Sequence, residues 1–519
     1  MTKDTASRWG APFYEVPSAE RASTRMLLIS YCFPPDSTVG ALRWQKMTRI
    51  AAERGWIFDV ITRAPAGAEM EDTSRLADLP PGTRVFGVST HEPRIRKLER
   101  AALRAVQFAR ARLRRGNASA AVQHTGATDS RAVGPMSPMS SAPAAPQRPR
   151  SFPREQVPRS IRGLRDVLRV YFVWVEHSRI AAWARGAARL GLELGRTTPY
   201  AAVVSSGPPH MAHEAARDVS KRAGIPFIMD LRDPWALTEH VIEAFASPLY
   251  LHLTSKYEGR AVAQASVIAA NTDVLAQTMR DHYRHAANRI ITVRNGSDDD
   301  AVPRSVHGDR FVIAYPGIFY GHENIGTVFR GLALAVAATG ATAAQLGIEI
   351  IGPMSEADHS DITAVARAAG VAEYVRLGPA RPRREALQFM AEATMLLALP
   401  GYNLMAAIPS KVYEYARFDA WVLALAALDS ALEEVLRGTR ADVVAPNDAE
   451  GVARVIERRY REFRAGIRPV ALGGDGGFSR RAQATILFDA VAACLAPDRQ
   501  PEDATAFSGA ATAGPTGVR

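Results

Sequence analysis

The sequence predicts an α/β protein of two doubly wound, parallel-sheet domains that face one another across a cleft. Three observations carry that prediction. Short apolar runs alternate with helical patterns, the scheme is run through twice, and a polar stretch, SDDDAVPRSVHG (297–308), divides the two rounds. The length of 519 residues also exceeds what one core ordinarily supports.

In the first round RMLLISYCF (25–33) reads as a buried strand, followed by IFDVITR (57–63), TRVFGVS (83–89), YAAVVSSG (200–207), PFIMDLRD (226–233), SVIAAN (266–271) and RIITVRNG (289–296). Helical patterns separate several of them, as in 40–55 and 209–224. The second round gives strands at 311–317, 346–352, 374–379, 394–400, 421–427 and 441–446. Domains are therefore expected at 25–296 and 309–472, after an N-terminal extension over 1–24. A last helix is expected at 478–495. Residues 116–160 and 497–519 are rich in Ala, Ser, Pro and Gly, and too poor in large apolar groups to repay ordering.

Composition narrows the classes. Hydrophobic residues make up 47% and charged residues 23%, ordinary for a globular chain. Two cysteines, Cys32 and Cys494, at opposite ends offer neither a disulfide framework nor a metal cluster, so a reducing cytosol is the expected setting. Neither a signal peptide nor a membrane-spanning run is read from the sequence. The net charge of +11 is local: residues 91–170 hold seventeen Lys/Arg and five Asp/Glu, and the rest is close to neutral. Within that segment RIRKLERAALRAVQFARARLRR (94–115) reads as a basic amphipathic helix. It suits an anionic membrane surface at the inner face of the plasma membrane, or else the packing of a domain. Nucleic acid is not expected, because no aromatic residues interleave with the charges.

Four motifs sit where strands end, the place where open α/β sheets bind ligands. In YCFPPDSTVGALRW (31–44) a strand runs through Pro34-Pro35 and Gly40 into a helix whose free N–H groups suit an anion, with Arg43 able to add charge. In SSGPPHMAH (205–213) His210 and His213 open a helix, either to position an acceptor hydroxyl or in a purely structural role. In MDLRDPWA (229–236) Asp230, Arg232 and Asp233 form a loop-fixing ion network or touch a substrate. In AAIPSKVYEYARF (406–418) Lys411 and Glu414 share a helical face. A lysine there can meet a diphosphate, and a glutamate can accept hydrogen bonds from a ribose diol. An exposed ion pair is the plainer alternative.

Together, in this order, the motifs make the chain resemble a GT-B nucleotide-sugar glycosyltransferase, most closely glycosyltransferase family 4. The SSGPPH and DLRDPW pair and PSKVYEY carry the resemblance, supported by WIFDVITRA (56–64), NGSDDD (295–300) and AYPGIFYGHEN (314–324). It covers about residues 25–112 and 165–495. The resemblance implies two Rossmann-like domains and a retaining transfer from a nucleoside-diphosphate sugar to a lipid-linked, polysaccharide or other cell-envelope acceptor. It places the donor on the second domain, near Gly317, Ser410, Lys411 and Glu414 with Gly40 across the cleft, and the acceptor on the first, near Asp230, Arg232 and Asp233. His210, Lys411 and Arg43 fall near the reacting centre, and the last helix crosses back to the first domain. It implies no metal and no cofactor, so Asp298, Asp299 and Asp300 are read as a solvated turn. Two positions depart from the family pattern. Ala406 stands where members carry a first glutamate, and His322, Glu323 and Asn324 stand where members place an arginine and a lysine. A sugar-nucleotide 2-epimerase of the same fold, or a non-catalytic partner subunit, is the alternative.

Overall fold

The computed structural model describes residues 11–18, 24–65, 71–90, 151–317, 323–400, 405–472 and 477–496. Its first sheet is built from β1 (Tyr14–Glu15), β2 (Thr24–Ser30), β3 (Trp56–Arg63), β4 (Arg84–Val88), β6 (Val203–Gly207), β7 (Phe227–Leu231), β9 (Val267–Ala270) and β10 (Ile290–Thr292), in the order β1-β4-β3-β2-β6-β7-β9-β10. All pairings are parallel except β1 with β4. Its strands are almost wholly apolar because helices cover both faces. Asp59 on β3 and Asp230 on β7 are buried carboxylates among them, and Asp59 shows how such a charge is held. Its buried carboxylate accepts from Arg25 at 2.6 Å, Arg84 at 2.5 and 2.8 Å and the Tyr200 hydroxyl at 2.6 Å, which satisfies a charge that burial would otherwise penalise.

The second sheet holds β11 (Phe311–Pro316), β12 (Leu346–Ile351), β13 (Val375–Gly378), β14 (Met395–Ala398), β15 (Trp421–Leu425) and β16 (Asp442–Val444), in the order β13-β12-β11-β14-β15-β16, all parallel. In each sheet the chain runs outward from a central strand, β2 or β11, then returns to the other side, while β1 adds an edge strand beside β4. The switch points lie between β2 and β6 and between β11 and β14, and ligand crevices form at such places.

The helices that matter for the site are α1 (Val39–Ala52), α2 (Leu164–Leu194), α3 (Met211–Ala223), α4 (Pro248–Gln264) and α5 (Asp273–His282) on the first sheet, and α6 (Glu323–Thr339), α7 (Glu356–Ala368), α8 (Arg383–Glu392) and the five-residue α9 (Lys411–Tyr415) on the second. After α10 (Ala431–Leu436) and α11 (Ala449–Arg464), α12 (Arg480–Leu495) lies on the first sheet. Leu487, Phe488 and Val491 of α12 join the core formed by Met26, Phe58 and Trp44.

Several expectations are corrected. Tyr14–Glu15, within the N-terminal extension, join the first sheet, pairing antiparallel with Val85 and Arg84. Residues 151–160, expected to lack structure, begin with β5 (Ser151–Pro153), which pairs antiparallel with β8 (His240–Ile242). Val157 is buried there with Val241 and Ala246. Phe152 and Val157 are too sparse to signal a strand, but the partner that buries them lies some ninety residues along the chain. The Asp298–Asp300 turn is solvated only in part, since Asp299 and Asp300 are exposed while the Asp298 side chain is not. Half-buried Asp298 pairs with Arg480 at 2.5 Å, while on the surface Asp299 meets Arg481 at 3.1 Å and Asp300 meets Lys46 at 2.9 Å. The basic helix expected at 94–115, most of the 116–160 stretch and the 497–519 tail lie outside the described residues. Among the described residues no helix is long and apolar enough to cross a membrane.

Candidate functional site

Strand β11 ends at Gly317, whose φ of +107° is a conformation that favours glycine. Its N–H donates to the Ile351 carbonyl at 2.8 Å. Gly352, at the end of β12, leaves no room for a Cβ, which would collide with the Gly317 carbonyl. The two glycines thus let the β11 and β12 ends close on one another. Beside them a cavity of about 400 Å³ opens between β12 and β13, lined by residues including Ser355, Glu356, His359, Leu377 and Pro379.

Lys411 reaches this point from α9. Its Nζ lies 3.6 Å from the centre of the Tyr315 ring, and a Cβ on Gly317 would stand 3.5 Å from it. The amine is buried and has no hydrogen-bond partner among the described residues. Burial pulls its pKa from the usual lysine range down to about 7. A cation held on an aromatic face without an anion is stabilised only in part. Glu414, one turn on, has a different setting. It accepts from Arg383 Nη1 at 2.9 Å, and both side chains are partly exposed. Ser410 is exposed and caps nothing with its hydroxyl. Asn324 is committed, its Nδ2 donating to the Pro400 carbonyl at 2.8 Å. Residues 318–322, including His322, lie outside the described residues, and Glu323 begins α6.

On the first sheet Arg43 does not do what its position in the sequence suggested. Its guanidinium is buried and wholly engaged: with Asp230 at 2.8 and 3.1 Å, with the Val293 and Arg294 carbonyls at 3.0 Å, and with Asn295 Oδ1 at 3.1 Å. Asp230 also accepts from Trp44 Nε1 at 2.7 Å and Ser206 Oγ at 3.0 Å. The network ties β7, α1 and the 293–295 segment together and leaves neither side chain for a ligand. Arg43 is therefore a structural cation and Asp230 its counter-ion, not cleft residues.

Arg232 takes the place expected of Arg43. Its Nε and Nη2 donate to the Gly207 and Pro208 carbonyls at 3.2 and 2.5 Å. Its Nη1 makes no hydrogen bond to a described residue and lies where a Cβ on Gly40 would stand 2.5 Å away. Only glycine at position 40 lets the guanidinium reach the start of α1. Asp233 beside it is open to solvent yet surrounded by protein, and that desolvation outweighs the nearby Arg232 and Arg43 charges and raises its carboxyl.

His210 stacks on Trp235 at 5.1 Å between ring centres and bonds the Pro234 backbone. Its Nδ1 is buried without a partner and faces Gly207. Burial holds the ring neutral, well below the usual histidine range. His213 is fully buried, its Nδ1 2.7 Å from Ser205 Oγ, and its pKa is pulled to about 3. It is structural.

Sequence reasoning missed Glu239. Its carboxylate accepts from the N–H groups of Met405 and Ala406 at 2.9 and 3.0 Å, while Thr272 Oγ1 donates to the Ala406 carbonyl at 3.1 Å. Ala406 itself packs into the core of the first sheet. The approach to α9 is thereby pinned to the other domain. No local pattern around Glu239 signals this, since both partners are amides some 166 residues away. Among the described residues no group of three His, Cys, Asp or Glu side chains could hold a metal ion.

Solved structures share this architecture at low identity. Sucrose-phosphate synthase of Thermosynechococcus elongatus is similar over 91% of this chain and 99% of its own, at 12% identity and a TM-score of 0.52. A glycosyltransferase of Rickettsia africae has 8% identity, covers 92% and 96% of the two chains, and gives a TM-score of 0.49. The Anabaena HepE protein, in complex with UDP and glucose, has 12% identity, covers 90% and 96%, and gives 0.48. No protein-family model and no curated protein sequence matches the chain. The first of these likenesses carries the fold: two Rossmann-like parallel-sheet domains in the GT-B arrangement.

Proposed function

We propose that this GT-B chain is a glycosyltransferase whose nucleoside-diphosphate sugar binds at the ends of β11 and β12. The observation that carries the reading is Lys411. A buried ammonium without an anion, set at the β11 end beside a glycine turn that borders a 400 Å³ cavity, is completed by a phosphate group. The fold shared with sucrose-phosphate synthase supports it. The nucleoside would occupy the cavity, with the Glu414 carboxylate taking the ribose hydroxyls.

In the retaining reaction we favour, the acceptor oxygen bonds the anomeric carbon on the face from which the phosphate oxygen departs. The acceptor proton passes to that departing phosphate. Lys411 would neutralise the leaving diphosphate, with Arg232 rather than Arg43 as the cation of the first domain. Asp233 and His210 would orient the acceptor, a lipid-linked or polysaccharide precursor. No metal or cofactor enters the proposal. Titration calorimetry against UDP- and GDP-sugars, with a donor-hydrolysis assay, tests it. Donor binding that fails in Lys411→Met supports the reading, whereas binding of no donor leaves a non-catalytic partner, and an epimerised donor identifies a 2-epimerase.

A further inference from the structure

The first turns of α2 are built inside out. Arg169 faces inward, where it pairs with Glu243 at 3.1 Å and Asp166 at 3.4 Å and lies over the Phe152 ring. The opposite arc is apolar and open: Leu164 is 76% exposed, and Val167, Leu168, Phe172 and Trp174 are each between 42 and 48% exposed. Ile161 before the helix and Ile242 on β8 extend the patch. Helices of water-facing surfaces place these classes the other way round, and a contiguous apolar patch marks a contact surface. Next to it a cavity of about 410 Å³ is lined by Val173, Ile180, Trp235, Val241 and Phe245 among others.

The charges around the patch select its occupant. Arg159, Arg162 and Arg165 are all exposed at its edge. The chain between 91 and 150 carries twelve basic and three acidic residues, so like charge opposes its settling there. We propose that the 159–174 face docks on an anionic bilayer. The apolar arc would enter the headgroup boundary, with Phe172 and Trp174 at the depth that aromatic side chains favour and the arginines against lipid phosphates. This goes beyond the transfer reaction and does not depend on it.

Co-sedimentation of the full chain tests the proposal, comparing phosphatidylglycerol–phosphatidylcholine vesicles with phosphatidylcholine alone. Binding is expected only to the first. Each exposed arginine contributes about fivefold near an anionic surface, so replacing Arg159, Arg162 and Arg165 by Gln should weaken binding about 100-fold. Leu168→Glu with Phe172→Glu should abolish it, and brominated lipid should quench wild-type emission more than that of Trp174→Phe. All these side chains are exposed, and the arginine variant serves should the apolar one fold poorly. The proposal is overturned if both variants bind vesicles as wild type does, or if vesicle binding is lost only when the 94–115 arginines are neutralised. It is overturned equally if light scattering shows a dimer that the Leu168/Phe172 variant dissociates while vesicle binding persists.

Discussion

Lys411 and Arg43 are both cations at a sheet switch point, and their hydrogen bonds separate them. Arg43 has every N–H engaged, whereas Lys411 Nζ has no partner among the described residues. Lys411→Met should therefore weaken nucleotide-sugar affinity by about 10- to 100-fold, the worth of a charge-assisted hydrogen bond, while leaving the fold intact. The depressed pKa fixes the sign of the pH dependence. The unfolded lysine stays protonated up to its usual range, and the folded one releases its proton near pH 7. This group consequently costs stability below about pH 7, and stability rises with pH from there to the unfolded pKa. Unfolding of Lys411→Met should lose that rise. A bound diphosphate would restore the ammonium, so donor binding at pH 8 should take up a proton, which calorimetry in buffers of different ionisation enthalpy reads. Binding without proton uptake would count against the role.

At the scale of elements, the buried pair of Arg43 and Asp230 joins β7, α1 and the 293–295 segment. Arg43→Met strands a fully buried carboxylate and should cost about 3–5 kcal/mol in denaturant unfolding. If it instead removes donor binding at unchanged stability, the structural assignment is wrong. The approach to α9 depends on Glu239, which holds the Met405 and Ala406 amides from the other sheet. Glu239→Ala should raise hydrogen exchange at those two amides and weaken donor affinity through the placement of Lys411. The motifs were legible here only as motifs. Strand ends carrying Gly40, Gly317 and Lys411 stand out locally, but nothing in MDLRDPWA says that Asp230 turns to Arg43, 187 residues away, and leaves Arg232 beside Gly40.

Across the whole molecule, α12 returns from the second domain to the first. Arg480 bonds Asp298 at 2.5 Å and the Gly296 carbonyl at 2.6 Å, and Gln483 Oε1 accepts from the Arg294 N–H at 2.7 Å. The Arg480 and Asp298 side chains are 9% and 8% exposed, so Arg480→Ala should destabilise the molecule by about 3 kcal/mol. The loss should appear first in probes on the first sheet, such as Trp44 or Trp56, and coincident unfolding of both domains at an unchanged midpoint would refute the coupling. The alternation of apolar runs determined two parallel sheets by itself, because strands buried on both faces are written locally as continuous Val, Ile and Leu. Only the tertiary structure decided which charges are spent and which remain available. A guanidinium is satisfied or left open by carbonyls and carboxylates hundreds of residues away, and no local period encodes that pairing.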